Sequence, residues 1–132
     1  MEYPVHEKLA RPRLLVAYAD SAYAARIARC FRRLGWEVHL APTAAEARRL
    51  AEVYAPHTIV LELALPDESG WNACAHLTAA HPGQRVVLLA PERVDSLHER
   101  LHAAGASAFV TRGDGMESLV RAAYGHARAK AV

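Results

Sequence analysis

Residues 57–71 read HTIVLELALPDESGW, and this stretch decides the fold. His57–Leu63 is rich in β-branched and aliphatic residues and too short for a helix, so it is expected to be a strand. Leu65–Gly70 is a cluster of turn residues. A helix is expected from about Trp71 to Ala80, ending before Pro82. The unit is strand, loop, helix, and its strand delivers one carboxylate, Glu62, at the carboxyl end.

The same unit recurs on both sides. Upstream, Arg13–Ala19 (RLLVAYA) is an apolar run of the kind found in strands buried on both faces. A helix over Ala22–Leu34 follows, with Tyr23, Ile27, Phe31 and Leu34 at helical spacing and Gly35 as its stop. Trp36–Ala41 is a second strand, and Thr43 with Glu46 forms a capping box for a helix to about Tyr54. Downstream, Arg85–Ala90 (RVVLLA) is a strand, followed by a helix near Arg93–Ala104 with Val94, Leu97 and Leu101 inward. Ser107–Thr111 is a fifth, weaker strand. Asp114 with Glu117 repeats the capping pattern and opens a last helix to roughly Lys130. Strands alternating with helices of this length imply an α/β fold, a doubly wound parallel sheet with helices on both faces.

Length and composition agree with one domain. The chain has 132 residues, 52% hydrophobic and 23% charged, which argues against disorder. Residues 1–12 form an N-terminal extension, 13–124 the domain, and 125–132 the end of the last helix and a tail. No apolar run approaches membrane-spanning length, so a cytoplasmic protein without membrane contact is expected. The net charge is +2, and no aromatics interleave the arginines, so nucleic-acid binding is not expected. All basic residues but Lys8 and Lys130 are arginine. Cys30 and Cys74 fall on helices that a doubly wound sheet places on opposite faces, so they are read as structural thiols.

Open α/β sheets bind ligands at the carboxyl ends of their strands, where strand order reverses. In a flavodoxin-like order 2-1-3-4-5 that point receives Tyr18, Ala19, Asp20 and Glu62, flanked by Ala90, Phe109 and Arg112. The stretches LLVAYADSA, FRRLGWEV, IVLELALPDESGW, RVVLLAPE and AGASAFVTRG resemble the receiver domain of bacterial two-component response regulators over about Arg13–Tyr124. That resemblance implies the flavodoxin-like (βα)5 order just given. It also implies a phosphoacceptor aspartate ending strand three, an acidic pair after strand one that holds Mg²⁺, a threonine or serine ending strand four, and a lysine followed by proline ending strand five.

The sequence departs at these positions. Glu62, four residues before Pro66, stands at the phosphoacceptor position, and Tyr18 and Ala19 fall on the acidic pair, with only the following Asp20 acidic. Ala90 stands for the threonine, Arg112 for the lysine, Gly113 for the proline, and Phe109 at the aromatic switch position. The chain therefore resembles an atypical, or pseudo-, receiver. Two readings of Glu62 stand: a built-in partial mimic of the phosphorylated state, or a carboxylate paired with Arg112 that holds one conformation. Ala90 has no hydroxyl for a phosphoryl mimic to attract, which favours the second. Asp20 is expected to cap the first helix instead of binding metal, and no Mg²⁺ or other cofactor is expected. Tyr18 either plugs the space left by the missing carboxylate or is a half-buried strand-end aromatic.

The expected role is therefore non-enzymatic: a phosphorylation-independent module acting through contacts with a histidine kinase, phosphotransfer protein or regulator. Within these 132 residues no output domain is expected beside the five units, unless the chain is a fragment of a larger one. The resemblance points to the fourth helix, fifth strand and fifth helix as output or homodimer face, carrying Arg93, Arg100, Arg112 and Arg121. Arg26, Arg29 and Arg33 form a basic face on the first helix and are a second partner surface or a solvated face. The alternatives are a phosphoacceptor with a reduced Mg²⁺ site, and a small-ligand sensor using the vacated pocket. His98 and His102, four residues apart, are read as surface histidines. Trp71 either joins a partner surface or packs over the LPDESG loop.

Overall fold

A computed structural model describes residues 11–93 and 97–125. Strands β1 (Arg13–Ala17), β2 (Glu37–Ala41), β3 (Thr58–Glu62), β4 (Arg85–Ala90) and β5 (Ala108–Thr111) form one parallel sheet in the order 2-1-3-4-5. Five helices connect or follow them: α1 (Ser21–Arg33), α2 (Ala44–Tyr54), α3 (Gly70–Ala80), α4 (Leu97–Ala104) and α5 (Met116–Tyr124). A one-turn 3-10 helix, Arg112–Asp114, separates β5 from α5. This is the flavodoxin-like α/β order expected from the alternating segments.

The apolar strand runs are explained by burial on both faces. Successive side chains point to opposite sides of a strand. Leu14, Val16, Val60, Val87 and Leu89 join the core beneath α1 and α5, whereas Leu15, Ile59, Leu61, Val86 and Leu88 join the core beneath α2, α3 and α4. The first core is aromatic. Phe31 and Trp36 meet edge to face at 5.3 Å, and Trp36 donates its indole N–H to the Tyr124 hydroxyl at 3.0 Å. The second is built largely of alanine and leucine, so its helices approach the sheet closely.

The caps follow the expected chemistry with two exceptions. Asp20 Oδ1 accepts the backbone N–H groups of Ala22 and Tyr23, which caps α1. Thr43 Oγ1 accepts the N–H of Glu46, and Gly35 (φ 96°) follows α1 in a left-handed conformation that suits glycine. Asp114, however, does not open the last helix. Its Oδ2 accepts the Thr111 N–H at 2.9 Å inside the 3-10 turn, and α5 begins at Met116 without a side-chain cap. Gly115 (φ 90°) intervenes and lets the chain turn between the two helices. Leu34 also departs from expectation: it lies beyond the last turn of α1 and is 49% exposed.

Residues 1–10, 94–96 and 126–132 lie outside the described residues, as do the side chains of Leu97, His98 and His102. The readings of the N-terminal extension, the tail, the start of the fourth helix and the histidine pair therefore fall outside them too. No helix among the described residues is long and apolar enough to cross a membrane.

Candidate functional site

The site lies where β1, β3 and β5 end. Parallel register sets Ala17 beside Leu61, and Glu62 beside Leu89. β1 stops at Ala17, so Tyr18 and Ala19 belong to the loop into α1, not to the strand. Glu62 is the last residue of β3 and is half-buried. The segment after it is held by an isolated bridge between Ala64 and Ser69 and by the Gly70 N–H donating to Leu63 O at 2.7 Å. A Cβ on Gly70 would stand 2.3 Å from Glu62 O, so the close approach of α3 to the end of β3 requires glycine.

Two of the charged groups here are engaged from within the fold. Glu62 Oε1 accepts the Ala19 N–H at 2.8 Å. The expected Glu62–Arg112 ion pair does not form among the described residues. The Arg112 guanidinium instead lies 3.9 Å from the centre of the Tyr23 ring and 5.8 Å from that of Tyr18. The short 3-10 turn at Arg112–Asp114 carries the side chain toward α1, and the aromatic faces there attract a cation. Gly113 sits within that turn.

Tyr18 corrects the half-buried reading: only 5% of it is exposed. Its ring packs 5.1 Å from that of Tyr23, and both belong to the aromatic core. Burial raises the Tyr18 phenol pKa; Arg112 opposes the rise and the negative charge of Glu62 adds to it. Ala90 is buried at the end of β4 beside Thr111.

Phe109 is half-buried on the other side of the sheet, stacked on Trp71 at 6.2 Å, and Arg100 lies 4.9 Å from the Trp71 ring centre. Trp71 thus covers Phe109. The four arginines assigned to the region of α4, β5 and α5 make different contacts. Arg100 turns to the α3–α4 layer, Arg112 to α1, Arg121 pairs with Glu117 at 3.7 Å, and Arg93 is exposed. Arg26, Arg29 and Arg33 are exposed on α1, with Arg26 lying 5.4 Å from the Tyr23 ring centre.

Three contributors were not singled out from the sequence. Tyr23 looked like one member of a helical stripe, yet its ring is the platform for Arg112. Asp67 accepts the N–H groups of Ala44 and Ala45 at 2.9 Å each, tying the loop after Glu62 to the start of α2. Those two bonds hold the Asp67 carboxyl below the usual carboxylate range. Glu68 lies 2.7 Å from Arg48 and 3.2 Å from His76, closing the same loop from its other end. The acidic pair inside LPDESG was the available signal.

The carboxylates Asp20, Glu62 and Asp67 each accept backbone N–H groups. No group of three His, Cys, Asp or Glu side chains with metal-binding geometry occurs among the described residues. Cys74 is buried against α4, where its thiol meets Ala104 O at 3.3 Å and burial pushes its pKa up to about 11. Cys30 lies in the opposite layer, as the fold requires.

The model of the response regulator receiver domain matches residues 14–124. The probable transcriptional regulatory protein TcrX of Mycobacterium tuberculosis is 28% identical over 109 residues, covering 81% of this chain and 46% of that protein. The adventurous-gliding motility protein Z of Myxococcus xanthus is 34% identical over 88 residues, covering 64% of this chain and 6% of that protein. The chain spans less than half the length of the curated relatives it matches. Among solved structures, a CheY-like receiver domain protein from Methanospirillum hungatei superposes with a TM-score of 0.78 at 21% identity, covering 83% of this chain and 88% of that one. A Burkholderia pseudomallei response regulator with a phosphorylated aspartic acid, calcium ion and citrate gives a TM-score of 0.80 at 23% identity, covering 91% and 70%.

Proposed function

The chain belongs to the response regulator receiver domain family of two-component signalling, and from that premise we propose that it is an atypical member. Its phosphoryl site is converted into a fixed structural element, and it signals by docking to proteins without being phosphorylated. The observation that carries this reading is the Ala19 N–H bond to Glu62, made beside a buried Tyr18 and an Arg112 stacked on Tyr23.

The side chains suit Mg²⁺ poorly. The ion wants several hard oxygen ligands in near-octahedral geometry, usually with a phosphate partner. Tyr18 and Ala19 supply no carboxylate, and Asp20 and Glu62 each already accept backbone N–H groups. Phosphoryl transfer depends on charge neutralisation and positioning by such ligands, so their loss removes most of the driving force. The cation of Arg112 lies over aromatic rings and forms no ion pair with the carboxylate, and Ala90 offers no hydroxyl to respond to a phosphoryl group.

The output surface in this reading is the region of α4, β5 and α5, held in one arrangement by the stack of Arg100, Trp71 and Phe109. Its occupant is a kinase, phosphotransfer protein, regulator or second copy of the chain. The Ala19 amide is a direct reporter on the site. Its NMR resonance is expected to stay unmoved when Mg²⁺, or Mg²⁺ with beryllofluoride, is added. A saturable shift of that resonance with either addition contradicts the reading.

A further inference from the structure

We propose that the groove between α1 and the sheet-edge strand β2 is a docking site for an acidic amphipathic helix of a partner protein. The groove has a volume of about 510 Å³ and is lined by Ala25, Ala28, Arg29, Arg32, Arg33 and Leu40. The inference concerns a different face from the output surface proposed above, and it holds whatever the chemistry of Glu62.

Charge is the first argument. The helix α1 contains no acidic residue, and among the described residues no carboxylate pairs with Arg29, Arg32 or Arg33. Arg29 stands three and four positions from Arg32 and Arg33, a like-charge spacing that works against the helix itself. Arg32 and Arg33 gain something from the carbonyl end of the helix; Arg29, a turn earlier, does not. The nearby Glu37 is engaged with His39 at 2.6 Å. The alternating strand places both of these on the α2 side of β2, away from the groove.

The floor is the second argument. Ala25 and Ala28 leave a shallow apolar trough, and Leu40 beside it is 39% exposed. An apolar side chain flanked by carboxylates complements both features, which is the helix-in-groove mode of recognition. Strand addition fits less well, because Arg32 Nη2 donates to Val38 O at 3.0 Å and occupies the free edge of β2. A nucleic-acid backbone would engage the arginines and leave Leu40 uncovered.

The test uses the full chain and a fluorescein-labelled helical probe peptide carrying glutamate on one face and leucine on the other. Saturable binding that weakens about tenfold in the Arg29→Glu, Arg33→Glu double variant, and several-fold in Leu40→Ser, is expected. The Leu40→Ser effect is one that charge attraction alone would not give. Unaltered circular dichroism and melting of the variants show that they remain folded. Binding unchanged in the double variant, or absent at low ionic strength, overturns the proposal. So does tighter binding of a single-stranded oligodeoxynucleotide that displaces the probe, or a groove closed by dimerisation in sedimentation.

Discussion

Two regions of this molecule handle charge in opposite ways. At the carboxyl ends of β1, β3 and β5, three charged groups are engaged from within: Glu62 by the Ala19 amide, Asp20 by the start of α1, and Arg112 by the Tyr23 ring. In the groove between α1 and β2, Arg29 and Arg33 point outward without a carboxylate among the described residues. A group already bonded must break that bond to receive a ligand, whereas an unpaired cation on an apolar trough gives up only its water. On the two proposals above, the free-energy gain of binding lies at the groove, and the former site contributes stability.

Substitutions separate the two roles, beginning with the largest. Tyr18→Ala removes a nearly buried ring from the aromatic core and is expected to cost about 2 kcal/mol in chemical denaturation. An unchanged midpoint would mean that Tyr18 does not fill the site. Arg112→Ala loses a cation stacked on Tyr23 and is expected to cost about 1 kcal/mol, with Arg112→Lys recovering only part of it. Acid should act on the same region through Asp67. Its carboxyl pKa is depressed in the folded chain, so its contribution is complete above the ordinary carboxylate range and is lost as pH falls through the lower folded value. The Asp67→Asn variant is thus expected to show a flatter stability profile below pH of about 4, read by thermal melts across acid buffers. The Arg29→Ala, Arg33→Ala pair comes last, within about 0.5 kcal/mol of the parent chain in the same melts. A larger loss there would make these arginines structural and erase the contrast.

The fold was legible because burial on two faces leaves a strong mark. The runs LLVA, TIVL and VVLL cannot alternate with polar residues when both sides of a strand are covered. The end of β3 at Glu62 was legible as well, and so was the Asp20 cap, since aspartate before a helix serves local N–H groups. The contacts were not. Whether Arg112 meets Glu62 or Tyr23 is set by the one-turn helix after β5, and Asp114 builds that turn in place of the helix start its spacing suggested. Tyr23 shares its helical spacing with Ile27 and Phe31, so nothing in the pattern distinguishes a platform for a cation from a core residue. The groove on α1 has a similar history: the arginines were visible, but the alanine floor and Leu40 come together only when β2 packs beside the helix.

The central claim is that the end of β3 is a finished structural contact and not a phosphoryl acceptor. Intact-mass spectrometry after incubation with acetyl phosphate and Mg²⁺ tests it most directly. The account predicts a single species at the unmodified mass, and a phosphoryl adduct that maps to Glu62 would contradict it.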